Sequence, residues 1–301
     1  VITGKGGVGK SSVAAALALH AVRRGRRVLV CEVNAQERIA PLLGARPGGG
    51  RVRELLPGLH AINVTPQDAL REYGLRVVKF QTVYEAVFEN RMVRHFLRIV
   101  PSFAELVMLG KILHEARATD GGRPRWDLVI MDAPATGHAV QLLRVPQALL
   151  DAVPPGPLRH DAEWMHELLL DPARTGIVLV TLPEEIPVNE TTELDAEIRS
   201  VLGMPRAALI VNAMPPARFG AADAPSLEVL ASAPAPLGPA ARAASVAALR
   251  RARAERALAR LREAVPLPGA VLPQIATARW EREAVERLAG ALAAEGGAWL
   301  G

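Results

Sequence analysis

The sequence has 301 residues but only one cysteine, two tyrosines and five phenylalanines. It also lacks any run of about 18 apolar residues. Each shortage removes a class of protein. A lone cysteine, Cys31, forms neither an intramolecular disulfide nor a cysteine-cluster metal site, so zinc held on thiolates is excluded. Its place in an apolar stretch suits a reducing compartment, and a cytoplasmic location is expected. Without a long apolar run or a recognisable leader, neither a membrane span nor a secretory signal is expected. The chain opens on "VIT" rather than on methionine. That stretch reads as a strand cut short, so a preceding segment is expected.

The formal charge is +5 and the isoelectric point about 9.9. A basic chain raises the question of nucleic acid. The aromatic residues that would stack on bases are scarce beside the arginines, which argues against it. The arginines are interleaved with acids and alanines instead, as in "RRARAERALARLREAV" (250–265), the pattern of a solvated helix face. Half of the residues are hydrophobic (50%), enough for a sizeable core.

What is abundant is alternation. "RVLVCEV" (27–33), "LHAINVT" (59–65), "WDLVIMD" (126–132), "GIVLVTL" (176–182), "AALIVNA" (207–213) and "GAVLP" (269–273) read as strands. Their near-continuous hydrophobicity suits strands covered on both faces. Helical spacing fills the gaps: "SSVAAALALHAVRRG" (11–25), then stretches near 136–150, 187–202, 240–264 and 278–294. The pattern predicts a doubly wound, mainly parallel α/β sheet flanked by helices, in one domain over 1–301. Residues 66–120 carry more helix than one crossover needs and predict a helical lobe. Residues 213–245, rich in Pro and Ala, predict a long mobile loop.

"GKGGVGKSS" (4–12) follows the first strand and opens the first long helix. Glycines in that position turn backbone N–H groups toward an anion, and the helix terminus adds partial positive charge. Gly4, Gly6, Gly7, Val8, Gly9 and Ser12 thus belong to a triphosphate cradle. Lys10 reaches the β- and γ-phosphates, and the Ser11 hydroxyl can ligate Mg²⁺. ATP and Mg²⁺ are the expected cofactors. One such loop needs only Lys10, which leaves Lys5 unexplained.

The form K-G-G-x-G-K-[ST] resembles the deviant Walker A loop of the P-loop ATPases that include MinD and ParA partition proteins, nitrogenase iron protein, and the arsenite-pump and tail-anchored-protein-targeting ATPases. In that family the early lysine reaches the partner subunit's phosphates, so the resemblance gives Lys5 a role in trans and predicts a dimer. A cation supplied in this way stabilises charge on the transferring phosphoryl group. "DAPATGHAVQLL" (132–143) resembles switch II of the arsenite-pump and tail-anchor-targeting branch. By that likeness Asp132 holds Mg²⁺ through water and the Gly137 N–H approaches the γ-phosphate. "TLPEEIPVNETTEL" (181–194) and "LIVNAMPP" (209–216) match two further segments of the branch. They imply that Asn212 reads adenine through its amide, that Glu184 contacts nucleotide, and that Pro273 in "VLP" closes the purine pocket.

The chain departs from the branch in three places. The water-orienting aspartate of switch I falls on Asn34 in "CEVNAQERIAPLLG". Asparagine can position a water but cannot take its proton, so Glu32 or Glu37 is a candidate substitute. The stretch is closer to bacterial ArsA-like proteins with an E-V-x switch, which implies slow hydrolysis or a second, non-identical subunit. Arsenite capture on thiolates has no ligands here. The long insert after switch II is reduced to a short segment around 154–173.

Tyr73, Phe80, Tyr84, Phe88, Met92, Phe96, Phe103 and Met108 in the lobe read as core rather than as a client groove. His95, His114 and His138 read as structural. The C-terminal "ARWEREAVERLAGALAAE" (278–295) is as acidic as it is basic, which disfavours a partition-type ATPase on a membrane surface. Two readings remain. One is a dimeric Mg-dependent ATPase, with a hydrophobic or membrane-protein client possible. The other is an ATP-binding regulatory subunit of weak turnover that pairs with a paralogous ATPase.

Overall fold

The computed structural model describes residues 1–78 and 103–295. Eight strands form one sheet: β1 (Ile2–Thr3), β2 (Val28–Val33), β3 (Arg53–Leu56), β4 (Leu59–Val64), β7 (Leu128–Asp132), β8 (Ile177–Thr181), β9 (Arg206–Met214) and β10 (Gly269–Pro273). The spatial order is β10-β9-β8-β1-β7-β2-β4-β3. Every pairing is parallel except β3 with β4. A separate hairpin joins β5 (Thr119–Asp120) to β6 (Arg123–Pro124). This is the mainly parallel α/β sheet of a P-loop NTPase.

Alternation along each strand sorts the core into two halves. On β2, Val28 and Val30 face one cluster, while Leu29, Cys31 and Val33 face the other. That is the period-two consequence of a pleated strand buried on both faces. Helices α1 (Lys10–Arg23) and α10 (Arg282–Ala294) cover the first face. The run Val13–Ala21 of α1 is entirely buried, and its alanines let the helix lie close to the sheet. Gly25, at φ +81°, ends that helix in the left-handed region that glycine adopts without steric cost.

The second face carries α4 (Phe103–Arg117), α5 (Thr136–Ala152), α6 (Pro157–Leu170), α7 (Glu185–Glu197) and part of α9 (Leu237–Ala264). Helix α7 continues into a π turn at Ile198–Leu202 that stops at Gly203. The remaining helices are α2 (Ile39–Leu42), α3 (Pro66–Val78) and α8 (Ala224–Ala231). The segment around 154–173, short as expected, is a single helix, α6. No helix among the described residues is long and apolar enough to cross a membrane.

Two expectations are corrected. Residues 213–245 are not a long mobile loop: they hold α8 and the start of α9. Pro225 lies in the first turn of α8, where a missing N–H breaks no hydrogen bond. The strong helix formers Leu, Glu and Ala then carry the helix, so a high proline count is a poor guide to this stretch. The lobe ends earlier than 120, because α4 stops at Arg117 and Thr119–Asp120 pairs with Arg123–Pro124.

Within the lobe, Met108 is buried in the sheet core and Tyr73 meets Phe103 edge-on with ring centroids 6.5 Å apart. Met108 is core, while Tyr73 and Phe103 are partly buried against it. Phe80, Tyr84, Phe88, Met92, His95 and Phe96 lie outside the described residues.

Candidate functional site

Strands β1, β2 and β7 lie side by side in the order β1-β7-β2, and their carboxyl ends feed one cavity. Ligands of open α/β sheets bind at that edge. The loop from β1 to α1 forms its floor. Two of its glycines are dictated by space. A Cβ on Gly4 would fall on the carbonyl oxygen of Val180, and one on Gly9 would fall on the Asn212 amide nitrogen. Gly9 also has φ +89°, which costs other residues strain.

Lys10 opens α1, and its Nζ donates to the carbonyl oxygens of Gly4 and Lys5, each at 3.0 Å. Burial lowers its pKa, the Asp132 charge opposes that shift, and the Arg38 charge adds to it. The Ser11 hydroxyl donates to Asp132 Oδ2 at 2.7 Å. The other oxygen, Oδ1, is buried without a partner among the described residues. Burial raises the Asp132 pKa, while the Ser11 hydrogen bond and the Lys10 charge pull it back.

Glu32 stands beside Asp132 across the β2–β7 pairing and is 2% exposed. Burial pushes its pKa up to about 7, against the N–H groups of Arg38 and Ile39, which donate to Oε1 at 2.6 and 3.3 Å. Neighbouring Asp132 and Glu37 add to the rise.

The cavity is about 720 Å³ and is lined by Gly6, Gly7, Gly9, Lys10, Ser11 and Ser12 from the loop. Glu32, Glu37, Arg38 and Asp132 supply its charged walls. Asn34 is not among the lining residues, although Val33 and Ala35 on either side of it are. It is exposed, at φ +44°, and its N–H donates to Val64 O at 2.9 Å. A short amide side chain is one of the few that tolerate this conformation. Both acids named as substitutes are engaged, Glu32 by the Arg38 and Ile39 N–H groups and Glu37 by the next loop. The Glu37 carboxylate accepts from the N–H groups of Gly48 and Gly49, both at 2.7 Å.

The remaining candidates separate. Asn212 is 6% exposed, and its Nδ2 donates to Val8 O at 3.0 Å, bracing the loop from β9. Glu184 precedes α7 and lines a second cavity, not the first. Pro273 ends β10 and lines neither. Gly137 is exposed in the first turn of α5. His138 is exposed beside it. Lys5 Nζ lies 3.5 Å from Glu190 Oε1 on α7, half-exposed, and does not line the cavity its own loop forms.

Sequence reading missed three residues. Arg38 lines the cavity and bears electrostatically on both Lys10 and Asp132. Trp280 reaches the same cavity from the loop before α10. The Asn63 amide donates to Ala35 O at 2.7 Å and ties the loop after β2 to β4. Only Arg38 had a usable signal, as a cation in the loop searched for acids.

A hydroxyl beside a carboxylate with one unpartnered buried oxygen is a hard-oxygen donor set that fits Mg²⁺. No group of three or more His, Cys, Asp or Glu side chains able to hold a metal exists among the described residues. An ion here would therefore complete its shell with phosphate oxygens and water, as Mg²⁺ does at triphosphate sites. Ser11 and Asp132 are the residues that would hold it.

A family model described as anion-transporting ATPase (ArsA type) matches residues 1–153. ATPase BagA of Mycobacterium tuberculosis is 31% identical over 236 residues, covering 74% of this chain and 67% of that protein. The arsenical pump-driving ATPase of Acidiphilium multivorum is 27% identical over 230 residues, covering 71% of this chain and 39% of that protein. An arsenical pump-driving ATPase of Escherichia coli is 27% identical over 238 residues, 73% of this chain and 40% of its own length. The chain thus spans about two fifths of the pump-driving relatives it matches. With its phosphate loop, its strand-end aspartate and these likenesses together, the chain belongs to the ArsA-type family of anion-transporting ATPases.

Proposed function

We propose that the chain is a cytoplasmic, Mg-dependent ATPase that works as a dimer, with itself or with a paralogous subunit. The observation that carries this reading is the joint placement of Lys10, Ser11 and Asp132 on one cavity floored by loop glycines. Ser11 and Asp132 would hold Mg²⁺ there, and the ion would supply neutralisation of phosphate charge. The loop amides and Lys10, released from the Gly4 and Lys5 carbonyls, hold the phosphates.

Hydrolysis forms one bond, from the water oxygen to the γ-phosphorus, and breaks the bond to the β–γ bridging oxygen. The water's proton goes to the released phosphate, and ADP leaves. Asn34 or a nearby acid, Glu32 or Glu37, orients the water. Gly137 supplies an N–H to the γ-phosphate, while Asn212, Glu184 and Pro273 form the base end of the site. Lys5 acts on the partner's phosphates, which is supported by its position off the wall of its own cavity. The client is left open between a hydrophobic protein segment, a membrane partner and nothing beyond the paired subunit.

Sedimentation and phosphate release, each with and without Mg-ATP, test the proposal. The parent should pair on adding Mg-ATP and release phosphate. Lys5→Ala should lose both while a single subunit still binds nucleotide. A Lys5→Ala variant that pairs and turns over like the parent sinks the dimeric mechanism.

A second reading is favoured by one feature: an asparagine, exposed and off the cavity wall, stands where an acid is expected. The chain is then an ATP-binding regulatory subunit of weak turnover beside a competent paralogue. Asn34→Asp separates the two. A marked rise in turnover supports the regulatory reading, whereas brisk turnover that the change leaves alone refutes it.

A further inference from the structure

A second cavity, about 910 Å³, opens at the carboxyl ends of β8, β9 and β10. Its walls are Leu182–Glu185, Ala213, Pro215, Gln274 and one face of α9. It shares no lining residue with the phosphate-loop cavity. Arg250, Arg253, Arg256 and Arg260 all line it. Successive arginines three residues apart on a helix stand on one side, about 4.5 Å apart along the axis.

The arginines of this helix divide into two kinds. Arg251 is tied to Glu255 at 2.7 Å and donates to Pro215 O at 2.6 Å. Arg260 donates to Asn189 Oδ1 at 2.9 Å and lies 4.0 Å from Glu185. Arg250, Arg253 and Arg256 have no hydrogen bond or ion pair among the described residues. The opposing acids of the cavity are Glu184 and Glu185, and Glu185 already faces Arg260. That leaves three cations against one carboxylate. All three are solvent-exposed, as a solvated face expects, yet they stand together on one concave wall. The guanidinium fork matches phosphate-type oxygens, and several together suit an anion carrying more than one charge.

We propose that the arginine wall of this cavity is a second anion site for a multivalent oxyanion of the phosphate class, beside the Glu184 edge assigned above to the base end of the nucleotide site. Arg250, Arg253 and Arg256 are its ligands. The Gln274 amide supplies a neutral donor on the opposite wall. The assignment stands whether or not the chain hydrolyses ATP.

Calorimetric titration of the full chain with inorganic pyrophosphate tests it. The parent should show two sites. Lys10→Ala should remove the phosphate-loop site and keep the other. In the Lys10→Ala background, Arg250→Gln, Arg253→Gln and Arg256→Gln should each weaken the remaining site about tenfold, and the triple variant should abolish it. An unchanged circular dichroism melting curve and an Arg242→Gln control, which should bind like the parent, separate this from misfolding. Retention of pyrophosphate by the triple variant overturns the proposal. So does a triple variant that keeps pyrophosphate but loses ATP affinity, because the wall would then serve the base end of the nucleotide site. A change in self-association alone overturns it too, in favour of an interface between copies.

Discussion

The phosphate-loop cavity is walled by glycine backbone, Lys10 and the carboxylates of Glu32, Glu37 and Asp132, whereas the second cavity is walled by four arginines on one helix. In the first, the attraction for an anion comes from N–H groups, a helix terminus and one lysine, all fixed by the fold. Its acids face inward and are hydrogen-bonded to Ser11 or to backbone N–H groups. In the second, the attraction comes from long side chains that reach in from α9. The first is therefore sensitive to a single methyl group, and the second to the loss of charge.

Gly9→Ala is the sharpest way to break that contrast. The new Cβ falls on the Asn212 amide at a residue with φ +89°. The backbone conformation alone costs about 1–2 kcal/mol in a residue with a side chain. Loop displacement should then abolish ATP binding, read by calorimetry, while pyrophosphate binding in the arginine cavity persists. Next in size is Asp132→Asn. The amide keeps the shape but loses the charge that favours a divalent ion. Nucleotide affinity should lose its dependence on Mg²⁺ by about 10–100-fold, measured by titration with and without the metal.

The two regions were unequally legible. The phosphate loop declared itself because a cradle of backbone donors requires glycine at fixed spacing, and spacing is what a sequence displays. Asp132 was legible because it ends an apolar strand. The sheet was legible for the same reason, since β2 is buried at every position and reads as an apolar run interrupted only by Glu32. Asn34 directly follows β2, but its position off the cavity wall goes with a local φ that no spacing encodes. The arginines of 250–260 were read as a solvated face. Composition shows that they alternate with acids but not which of them find partners. Arg251 has Glu255 one helical turn on, where Arg253 has Ala257, but the contact of Arg251 with Pro215 O is brought by the fold.

Asn212 joins the two regions, which makes it the next test. Its Nδ2 braces Val8, while the following Ala213 lines the arginine cavity. Asn212→Ala removes a buried donor from the Val8 carbonyl. The expected cost is about 1–3 kcal/mol of stability in denaturant unfolding. ATP binding should weaken beyond what that loss explains, since the loop rests on this side chain. Unchanged ATP affinity would show that the loop holds its shape without support from β9.

The smallest expected effect belongs to Arg251→Gln. Arg251 of α9 is half-buried, with an ion pair to Glu255 and a hydrogen bond to Pro215 O. The ion pair is largely solvent-exposed and contributes little. The hydrogen bond to the Pro215 carbonyl contributes more, so a loss of about 0.5–1 kcal/mol is expected by thermal or denaturant unfolding. Its value lies in the contrast with its neighbours. If Arg250, Arg253 and Arg256 serve an anion, replacing them should leave stability within experimental error and remove pyrophosphate binding. Arg251→Gln should do the reverse, lowering stability and sparing the anion. Equal effects from both groups on both measurements would mean that the helix uses all of its arginines alike, and the distinction between a braced wall and a binding wall would fail.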